Sequence, residues 1–345
     1  MNDVVRVPLT ALLWLVSAAA VAQSSANELL ASIAEALEQA SYEGTLIRAA
    51  DGEIVTMHVA HSAADGVVRE KLVSMDGEGS EILRNGDELI CLLPKRKVKL
   101  VDISLASSNA FASLPVVVDE LGKFYDLEAQ GTERIAGRVA RKFFIRPRDA
   151  FRFGHRLWVD DETLLPLRMQ LVNRRNIVEE TRFVEVTIGV DLPASAFTSD
   201  IDSSEFRVIR AAPDSGDDPR SAQLQLANQR DSANVESWPP ESSRGFRLHT
   251  TQSQRVTING RSAQKLVFSD GIATVSVFIT TQPAGEDDVG SKVSRMGAAS
   301  SYQVRIGEQL LTVVGEVPVE TLKMLAEHAA KQISARQQPV RGEPD

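Results

Sequence analysis

Residues 146–160 bring together side chains that could do acid–base chemistry. The stretch reads RPRDAFRFGHRLWVD. Asp149 and His155 lie six residues apart, so on a strand they would share one face and could act as an acid–base pair. No nucleophile stands beside His155, however. A hydrolase that uses Asp149 and His155 is therefore a weak hypothesis, and replacing His155 by Ala is expected to leave stability and binding nearly unchanged.

The other residues with chemical potential do not form a recognisable centre. His58 and His61 are close in sequence, but three positions along a strand place their side chains on opposite faces, which argues against a shared metal. The chain contains no glycine-rich phosphate loop, GxSxG elbow or HExxH motif. Cys91 is the only cysteine, so no internal disulfide can form. We expect no enzyme activity, no metal and no cofactor.

Composition limits the classes of partner and the number of domains. The 345 residues are 43% hydrophobic, which is enough for two ordinary cores. With 38 Lys and Arg against 47 Asp and Glu, the formal net charge is −9. A chain of this charge is poorly suited to neutralise a nucleic-acid backbone. Nucleic acid is excluded as a partner.

The first residues predict export. Arg6 precedes an apolar run that is shorter than the roughly 20 residues of a transmembrane helix. The run ends in the small-residue triplet Ala20-Val21-Ala22, which is typical of a signal-peptide cleavage site. We expect a secretory signal peptide cleaved after Ala22, no later transmembrane segment, and a mature protein that is soluble and exported.

Hydrophobic periodicity predicts two α+β domains. Residues 27–40 have apolar side chains at helical spacing. From Tyr42 the period becomes two, in short runs separated by Asp-Gly and Asn-Gly pairs, as in an antiparallel meander. The apolar face of that sheet needs a cover, and the candidates are the opening helix and the stretch 101–128, which could hold another helix. Strands and a closing helix after Pro318 indicate a second, smaller domain. The expected boundaries are a signal peptide at 1–22, an N-terminal sheet domain at 23–205, a linker at 206–228, a C-terminal α+β domain at 229–336 and a disordered tail at 337–345.

A run of basic residues crosses the stretch that opens this section. Its members Arg146, Arg148, Arg152 and Arg156 stand out in a chain that is acidic overall. They could be the solvated faces and protected edges of strands. They could equally bind an anionic partner, either an acidic peptide segment or the phosphates of a lipid head group.

Several motifs, in order along the chain, carry a family resemblance. They are YEGTLI at 42–47, VREKLVSMDGEGSEILRNGDE at 68–88, RIAGRVA at 134–140, PRDAFRFGHRLWVDDETLLPLRMQLV at 147–172, SDGIATVSVFI at 269–279, GAASSYQV at 297–304 and TVVGEVPVETLKMLA at 312–326. With these motifs the chain resembles the sigma-E factor regulatory protein family (RseB/MucB) along nearly its whole length. In that family the stretch 146–160 leads into a hairpin and is not a catalytic centre.

The resemblance implies both an architecture and a role. The N-terminal domain would be a curved antiparallel half-barrel, like the periplasmic lipoprotein carriers, with helices that cover an apolar cavity. The C-terminal domain and the linker would bind the periplasmic segment of a membrane-anchored anti-sigma factor and shield it from the first-site protease. Lipopolysaccharide or the acyl chains of a mislocalised lipoprotein would enter the cavity and release the segment. The family is also consistent with a homodimer that gives way to a monomer when the partner binds.

Candidate site residues follow from the strand pattern and the resemblance together. The candidates for the lipid cavity are Leu46, Met57, Leu89, Leu92, Leu157 and Met169. The candidates for partner binding are Arg146, Arg148, Arg152 and Arg156 with the hairpin residues Ser269, Asp270 and Gly271. For that hairpin a plain two-residue turn is an open alternative. The alternative function, from the N-terminal architecture alone, is a periplasmic lipoprotein or lipid carrier, although a carrier has no need of the second domain.

Overall fold

The described part of the chain folds into two sheets, one large and one small, each covered by a helix and antiparallel except for one pair of strands. The computed structural model describes residues 26–77, 79–102, 121–211, 243–248, 254–258, 261–281 and 290–337. The predicted signal peptide (1–22), most of the predicted linker and residues 338–345 of the predicted tail lie outside the described residues. Within the described ranges, no helix is both long and apolar enough to cross a membrane.

The large sheet contains twelve strands in one open, unclosed layer. Helix α1 (26–39) precedes it, and a short helix α2 (Leu121–Phe124) interrupts it. The strands are β1 (Tyr42–Ala50), β2 (Glu53–Ser62), β3 (Arg69–Ser74), β4 (Glu81–Asn85), β5 (Glu88–Leu93), β6 (Val98–Asp102), β7 (Tyr125–Ile135), β8 (Arg138–Pro147), β9 (Gly154–Asp160), β10 (Pro166–Asn173), β11 (Asn176–Ile188) and β12 (Arg207–Ala211).

Two meanders meet at the centre of this sheet. The spatial order is β12-β6-β5-β4-β3-β2-β1-β11-β10-β9-β8-β7, and every neighbouring pair is antiparallel except β12 with β6. The pairing of β1 with β11 joins the meanders, with Tyr42 opposite Ile188. The predicted large antiparallel sheet is confirmed.

One face of the large sheet is mainly apolar, as the alternation in β10 predicts. Leu167, Met169 and Leu171 are buried on this face. Helix α1 covers it, because its side chains Leu30, Ile33 and Leu37 belong to the same core cluster. We call this the inner face and the opposite side the outer face. The predicted covering helix is confirmed.

The structure departs from the sequence prediction in three places around this sheet. The run IAGRVARKFFI at 135–145, whose sequence predicts one strand, is broken by a turn at Ala136 and Gly137, which both have positive φ. An alanine there is not a recognisable turn signal. Residues 125–128, expected within a possible helix, begin β7, because they pair with β8. Strand β12 lies inside the stretch 206–228 predicted as a linker, where it pairs in parallel with β6.

The small sheet contains seven strands and packs against one long helix. The strands are β13 (Arg247–Leu248), β14 (Gln254–Ile258), β15 (Arg261–Ser269), β16 (Thr274–Thr281), β17 (Lys292–Met296), β18 (Ala299–Ile306) and β19 (Gln309–Gly315), followed by helix α3 (Val319–Gln337). Leu322, Leu325 and Ala329 of α3 are buried against Val277 and Val313 of the sheet. The second α+β unit therefore has its own core, and the predicted fold class is confirmed.

Candidate functional site

The inner face of the large sheet holds most of the predicted cavity residues. Leu46, Leu157 and Met169 are buried members of its core cluster, and Met57 packs against them while partly exposed. The register explains their grouping, since Leu46 lies opposite Met57 in one pairing and Met169 opposite Leu157 in another. The structure therefore brings four of the six cavity candidates together.

Leu89 and Leu92 cannot both face the same cavity. The unbroken pairing from β1 to β5 places Leu89 in line with Tyr42 of the inner face. Leu92 lies three positions further along the strand and so points to the outer face. Both side chains are buried, at 5% and 2% exposure. Their hydrophobicity predicted that both side chains are buried, but it does not distinguish the two faces of the sheet.

A row of polar side chains crosses the inner face and was not predicted from the sequence. Tyr42, His61, Glu70 and Arg84 lie opposite one another on β1, β2, β3 and β4. The rings of Tyr42 and His61 stack with their centroids 4.8 Å apart. Burial, followed by the charge of Glu70, raises the pKa of Tyr42 well above its ordinary value, and burial lowers the pKa of His61. The sequence signal is weak, because the four residues come from separate strands.

His58 and His61 lie on opposite faces of β2, as expected. His61 is buried, and its Nδ1 lies 2.7 Å from the Ala40 carbonyl oxygen. The His58 side chain is 41% exposed and contacts Glu43 on the outer face. Among the described residues, no group of three His, Cys, Asp or Glu side chains is placed to hold a metal ion.

Three of the four candidate arginines are accessible at the surface. Arg146 donates to Glu128 and Arg148 to Asp126, in ion pairs whose side chains are all between about 40% and 50% exposed. Arg156 lies on the outer face, where it and Arg146 both contact the ring of Phe144. These arginines pair with strand β7 or stack on an aromatic ring, so the outer face alternates charge with aromatic surface.

Arg152 is different, because it is buried and holds the two sheets together. Its Nε donates to Oδ2 of Asp270 at 2.6 Å, and both side chains are fully buried. Two further donations go to the carboxylate of Asp149 and to the carbonyl oxygen of Arg244. Arg152 and Asp270, predicted as partner-binding residues, therefore bind each other within the chain.

Aromatic rings enclose the Arg152 guanidinium. Its Cζ lies 4.3 Å from the ring centroid of Phe124, 5.1 Å from that of Phe246 and 5.8 Å from that of Tyr125. Desolvated cation–π contacts of this kind stabilise a buried guanidinium. The Tyr125 hydroxyl also donates to Asp270 at 2.8 Å. Burial, followed by the charge of Asp270, raises the pKa of Tyr125 well above its ordinary value, so the hydroxyl keeps the proton that it donates.

The predicted turn at Ser269, Asp270 and Gly271 is a four-residue loop. Strand β15 ends at Ser269, which pairs with Thr274 of β16. Oδ1 of Asp270 accepts hydrogen bonds from the backbone N–H groups of Ile272 and Ala273 at 3.0 and 2.8 Å. The Asp270 side chain thus closes the loop locally, and Ile272 enters the core cluster of the large sheet.

A second contact between the sheets uses carboxylates of the large sheet. The turn between β17 and β18 presents two backbone N–H groups: Gly297 donates to Asp51 at 2.6 Å and Ala298 to Glu179 at 3.1 Å. Arg48 holds Glu179 in place through two hydrogen bonds of 2.6 and 2.8 Å. Ala298 is buried beside Phe153 and Leu171, in a small core cluster.

The proposed acid–base pair is not assembled. Asp149 lies in the loop before β9, where its carboxylate accepts from the Phe151 N–H and from Arg152. His155 is 3% exposed on the inner face, and its Nδ1 has no hydrogen-bond partner. Burial lowers the pKa of His155 to about 4. Because His155 is buried, its replacement by Ala would leave a cavity, so we now expect this substitution to lower stability.

An open groove of about 590 Å³ lies near the β1–β2 turn. Its wall includes Ile54 and Ile177, which are 67% and 51% exposed, with Arg168 and Arg182 beside them. Glu180 also lines the groove and pairs with Arg168 at 2.7 Å. The groove therefore has apolar walls and mixed charge.

Comparison with known proteins matches both sheets of this chain to domains of one family. Residues 25–201 match the family model of the MucB/RseB N-terminal domain, and residues 232–330 match that of the MucB/RseB C-terminal domain. The sigma factor AlgU regulatory protein MucB of Pseudomonas aeruginosa is 29% identical over 309 residues, which cover 88% of this chain and 90% of MucB. The sigma-E factor regulatory protein RseB of Escherichia coli K12 is 24% identical, over 91% of this chain and 93% of RseB.

Solved structures are similar over the same length. The complex of MucA and MucB from Pseudomonas aeruginosa contains a chain that is 29% identical, with a TM-score of 0.60 over 87% of this chain and 96% of that chain. A crystal structure of MucB in complex with MucA(peri) gives the same TM-score and coverage at 26% identity. With two domain models matched in order and relatives aligned over nearly their full length, this chain belongs to the MucB/RseB family.

Proposed function

We propose that this protein is an exported negative regulator of an envelope-stress sigma factor. It acts in the periplasm after removal of its signal peptide near Ala22. It binds the periplasmic segment of a membrane-anchored anti-sigma factor and shields that segment from the first-site protease. Lipopolysaccharide or the acyl chains of a mislocalised lipoprotein loosen the complex.

The observation that carries this proposal is the match to both family domains. The relatives are named as regulators of sigma factors, and a relative has been solved as a complex of MucB with MucA. A carrier needs only the large sheet, whereas this chain keeps a second sheet with its own core and several polar contacts to the first domain. The regulator is therefore favoured over the carrier.

The proposed role requires binding and no catalytic group. A regulator of this kind needs one affinity for its partner in the free state and a lower affinity when a ligand is bound. Asp149 and His155, the only acid–base pair that the sequence suggested, do not pair: the Asp149 carboxylate accepts from Arg152, and Nδ1 of His155 has no hydrogen-bond partner. The proposal assigns neither residue a chemical step.

The exposed arginines are the proposed surface for an acidic partner segment. Arg146 and Arg148 already pair with carboxylates, but exposed ion pairs of this kind contribute only about 0–1 kcal/mol. A partner carboxylate can exchange with Glu128 or Asp126 at little cost. Arg156 adds a third cation on the same outer face, over Phe144.

The inner face is the proposed site for acyl chains. Leu46, Leu157 and Met169 are buried in its core cluster, and Met57 packs against that cluster while partly exposed. An acyl chain would therefore enter by displacing side chains, and unbranched methionines adjust more readily than leucines. Leu89 extends the same face toward β5.

The decisive experiment is a proteolysis time course. The purified periplasmic segment of the anti-sigma factor is incubated with its first-site protease, alone and with this protein, and then with lipopolysaccharide. We expect the protein to slow cleavage and lipopolysaccharide to restore it. Equal cleavage rates in all three reactions would refute the regulator, and lipid transfer between vesicles would then test the carrier.

A double substitution tests the proposed binding surface. Replacing Arg146 and Arg148 by Ala should weaken binding of the segment by about tenfold, because two rim charges together contribute about 1.4 kcal/mol. Arg174 and Arg175, in the exposed turn between β10 and β11, provide the matched pair of control substitutions. Binding that weakens equally in both double variants would indicate a general charge effect and no specific surface.

A further inference from the structure

The loop between β15 and β16 connects the two domains through one charged side chain and one apolar side chain. We propose that this loop, residues 270–273, is a reversible plug that seats in the N-terminal domain and leaves it without either domain unfolding. The inference concerns the domains themselves and holds whether or not the protein binds an anti-sigma factor.

Each domain keeps its own core when the plug leaves. The core cluster of the large sheet and that of the small sheet are separate, and within the described residues Ile272 is the single small-sheet residue in the large one. Other apolar contacts join Ala298 to Phe153 and Leu171, and Gly245 to the Phe124 ring. Because only a few apolar side chains make these contacts, parting the domains leaves most of each core covered.

The buried ion pair makes the seated state sensitive to a single charge. When the domains part, Arg152 and Asp270 both regain water, and this hydration offsets much of their lost attraction. Removing the charge of Asp270 has the opposite balance, because the seated state then buries the Arg152 guanidinium with only the Asp149 carboxylate as its counter-charge. The ion pair therefore allows the two domains to part, and loss of the charge of one partner favours the state in which they are parted.

The loop is shaped before it docks. Oδ1 of Asp270 holds the loop through the N–H groups of Ile272 and Ala273, whereas Oδ2 faces the N-terminal domain and accepts from Arg152 and Tyr125. The two oxygens of one carboxylate thus have separate tasks. A change confined to Oδ2 should affect docking and leave the loop intact.

Asp270→Asn makes that change. The amide oxygen can keep the position of Oδ1, while the amide nitrogen presents hydrogens to the Nε–H of Arg152, so two donors meet. Asp202→Asn is the matched control, since Asp202 closes an exposed turn through the Ser204 N–H in the same way. Tyr125→Phe removes one donor to Asp270 and keeps every charge, so it provides a milder second variant.

The test measures the distance between the domains in the full-length mature chain. Spin labels are attached to cysteines at the exposed positions Thr132 and Glu308, with Cys91 replaced by Ala. Double electron–electron resonance should give one narrow distance distribution for the reference protein and for Asp202→Asn. Asp270→Asn should add a second, separate distance, and Tyr125→Phe a smaller fraction of it.

Folding controls keep the result unambiguous. Far-ultraviolet circular dichroism establishes that each variant keeps its sheets, and if Asp270→Asn does not fold, Tyr125→Phe decides alone. The proposal is overturned if a folded Asp270→Asn gives the distance distribution of the reference protein. If Asp270→Asn does not fold, the same result for a folded Tyr125→Phe overturns it. The Arg152–Asp270 pair would then be a static part of a single rigid body.

Discussion

His155 should make the stability of the large sheet depend on pH, and its burial sets the size of the effect. Its pKa is about 4 in the folded protein, against 6.5 for a solvated imidazole. As the pH falls, the unfolded chain therefore takes up the proton first. The contribution of neutral His155 to folding is complete above a pH of about 6.5 and is lost progressively down to about 4. At about 1.4 kcal/mol per pH unit, the whole loss is about 3.4 kcal/mol.

The assay is urea unfolding of the mature chain at a pH of about 7.5 and of about 5. Trp158 is buried in β9, three residues after His155. Once Trp238 is replaced by Phe, the fluorescence of Trp158 reports the unfolding of the large sheet. Between these two conditions the His155 contribution to the free energy of unfolding should fall by about 2 kcal/mol. His155→Leu, which keeps an apolar side chain of similar size, should lack that part of the fall.

The matched control is His58→Leu, which changes a histidine that is 41% exposed on the same sheet. This variant tests whether the loss of any histidine from the sheet changes the pH dependence. If His155→Leu and the reference protein lose the same free energy between the two pH values, His155 is not held neutral by burial and the reasoning fails.

Two further substitutions test other contacts. Asp160→Asn should lower the free energy of unfolding by about 2–3 kcal/mol, because the buried Asp160 carboxylate accepts two hydrogen bonds from Arg138, and urea unfolding at neutral pH measures the loss. Although burial disfavours its charge, hydrogen bonds from Arg138 and Thr163 lower the pKa of Asp160, so this contribution is present at neutral pH and lost in acid. Gly245→Ala should displace the aromatic rings around Arg152, because Gly245 has φ +90° and an added Cβ would overlap the Phe124 ring. Faster hydrogen exchange at the Ile272 N–H, with unchanged exchange in β10, would show this displacement.

Local patterns in the sequence predicted the elements and failed where contacts are long-range. The alternation in β10 identified its apolar face, although Gln170 on the opposite face is buried as well, and the spacing of Leu322, Leu325 and Ala329 identified the buried stripe of α3. These signals are local, because each depends on the period of one element. The turn at Ala136 escaped prediction because its backbone conformation is imposed by the pairing of β7 with β8.

The roles of Arg152 and Asp270 could not be read from their neighbours in sequence. In the sequence Arg152 is one member of a basic run and Asp270 is one residue of a turn signal. They lie 118 residues apart in the chain and meet only when the two sheets dock. Their burial follows from tertiary contacts, which composition and periodicity do not reveal. Arg146 and Arg148 have similar sequence surroundings and remain half exposed.

The junction of β1 with β11 has a consequence for how the chain reaches its native state. Thr45 and Glu185 pair there although 140 residues separate them. Each meander can form from contacts between consecutive strands, but joining them requires closure of this long loop before any stabilising contact is gained. Until β11 is available, β1 presents an unpaired strand edge, which is a template for association with other chains. The folding rate should therefore be limited by this junction, and chains shortened before Asn176 should aggregate.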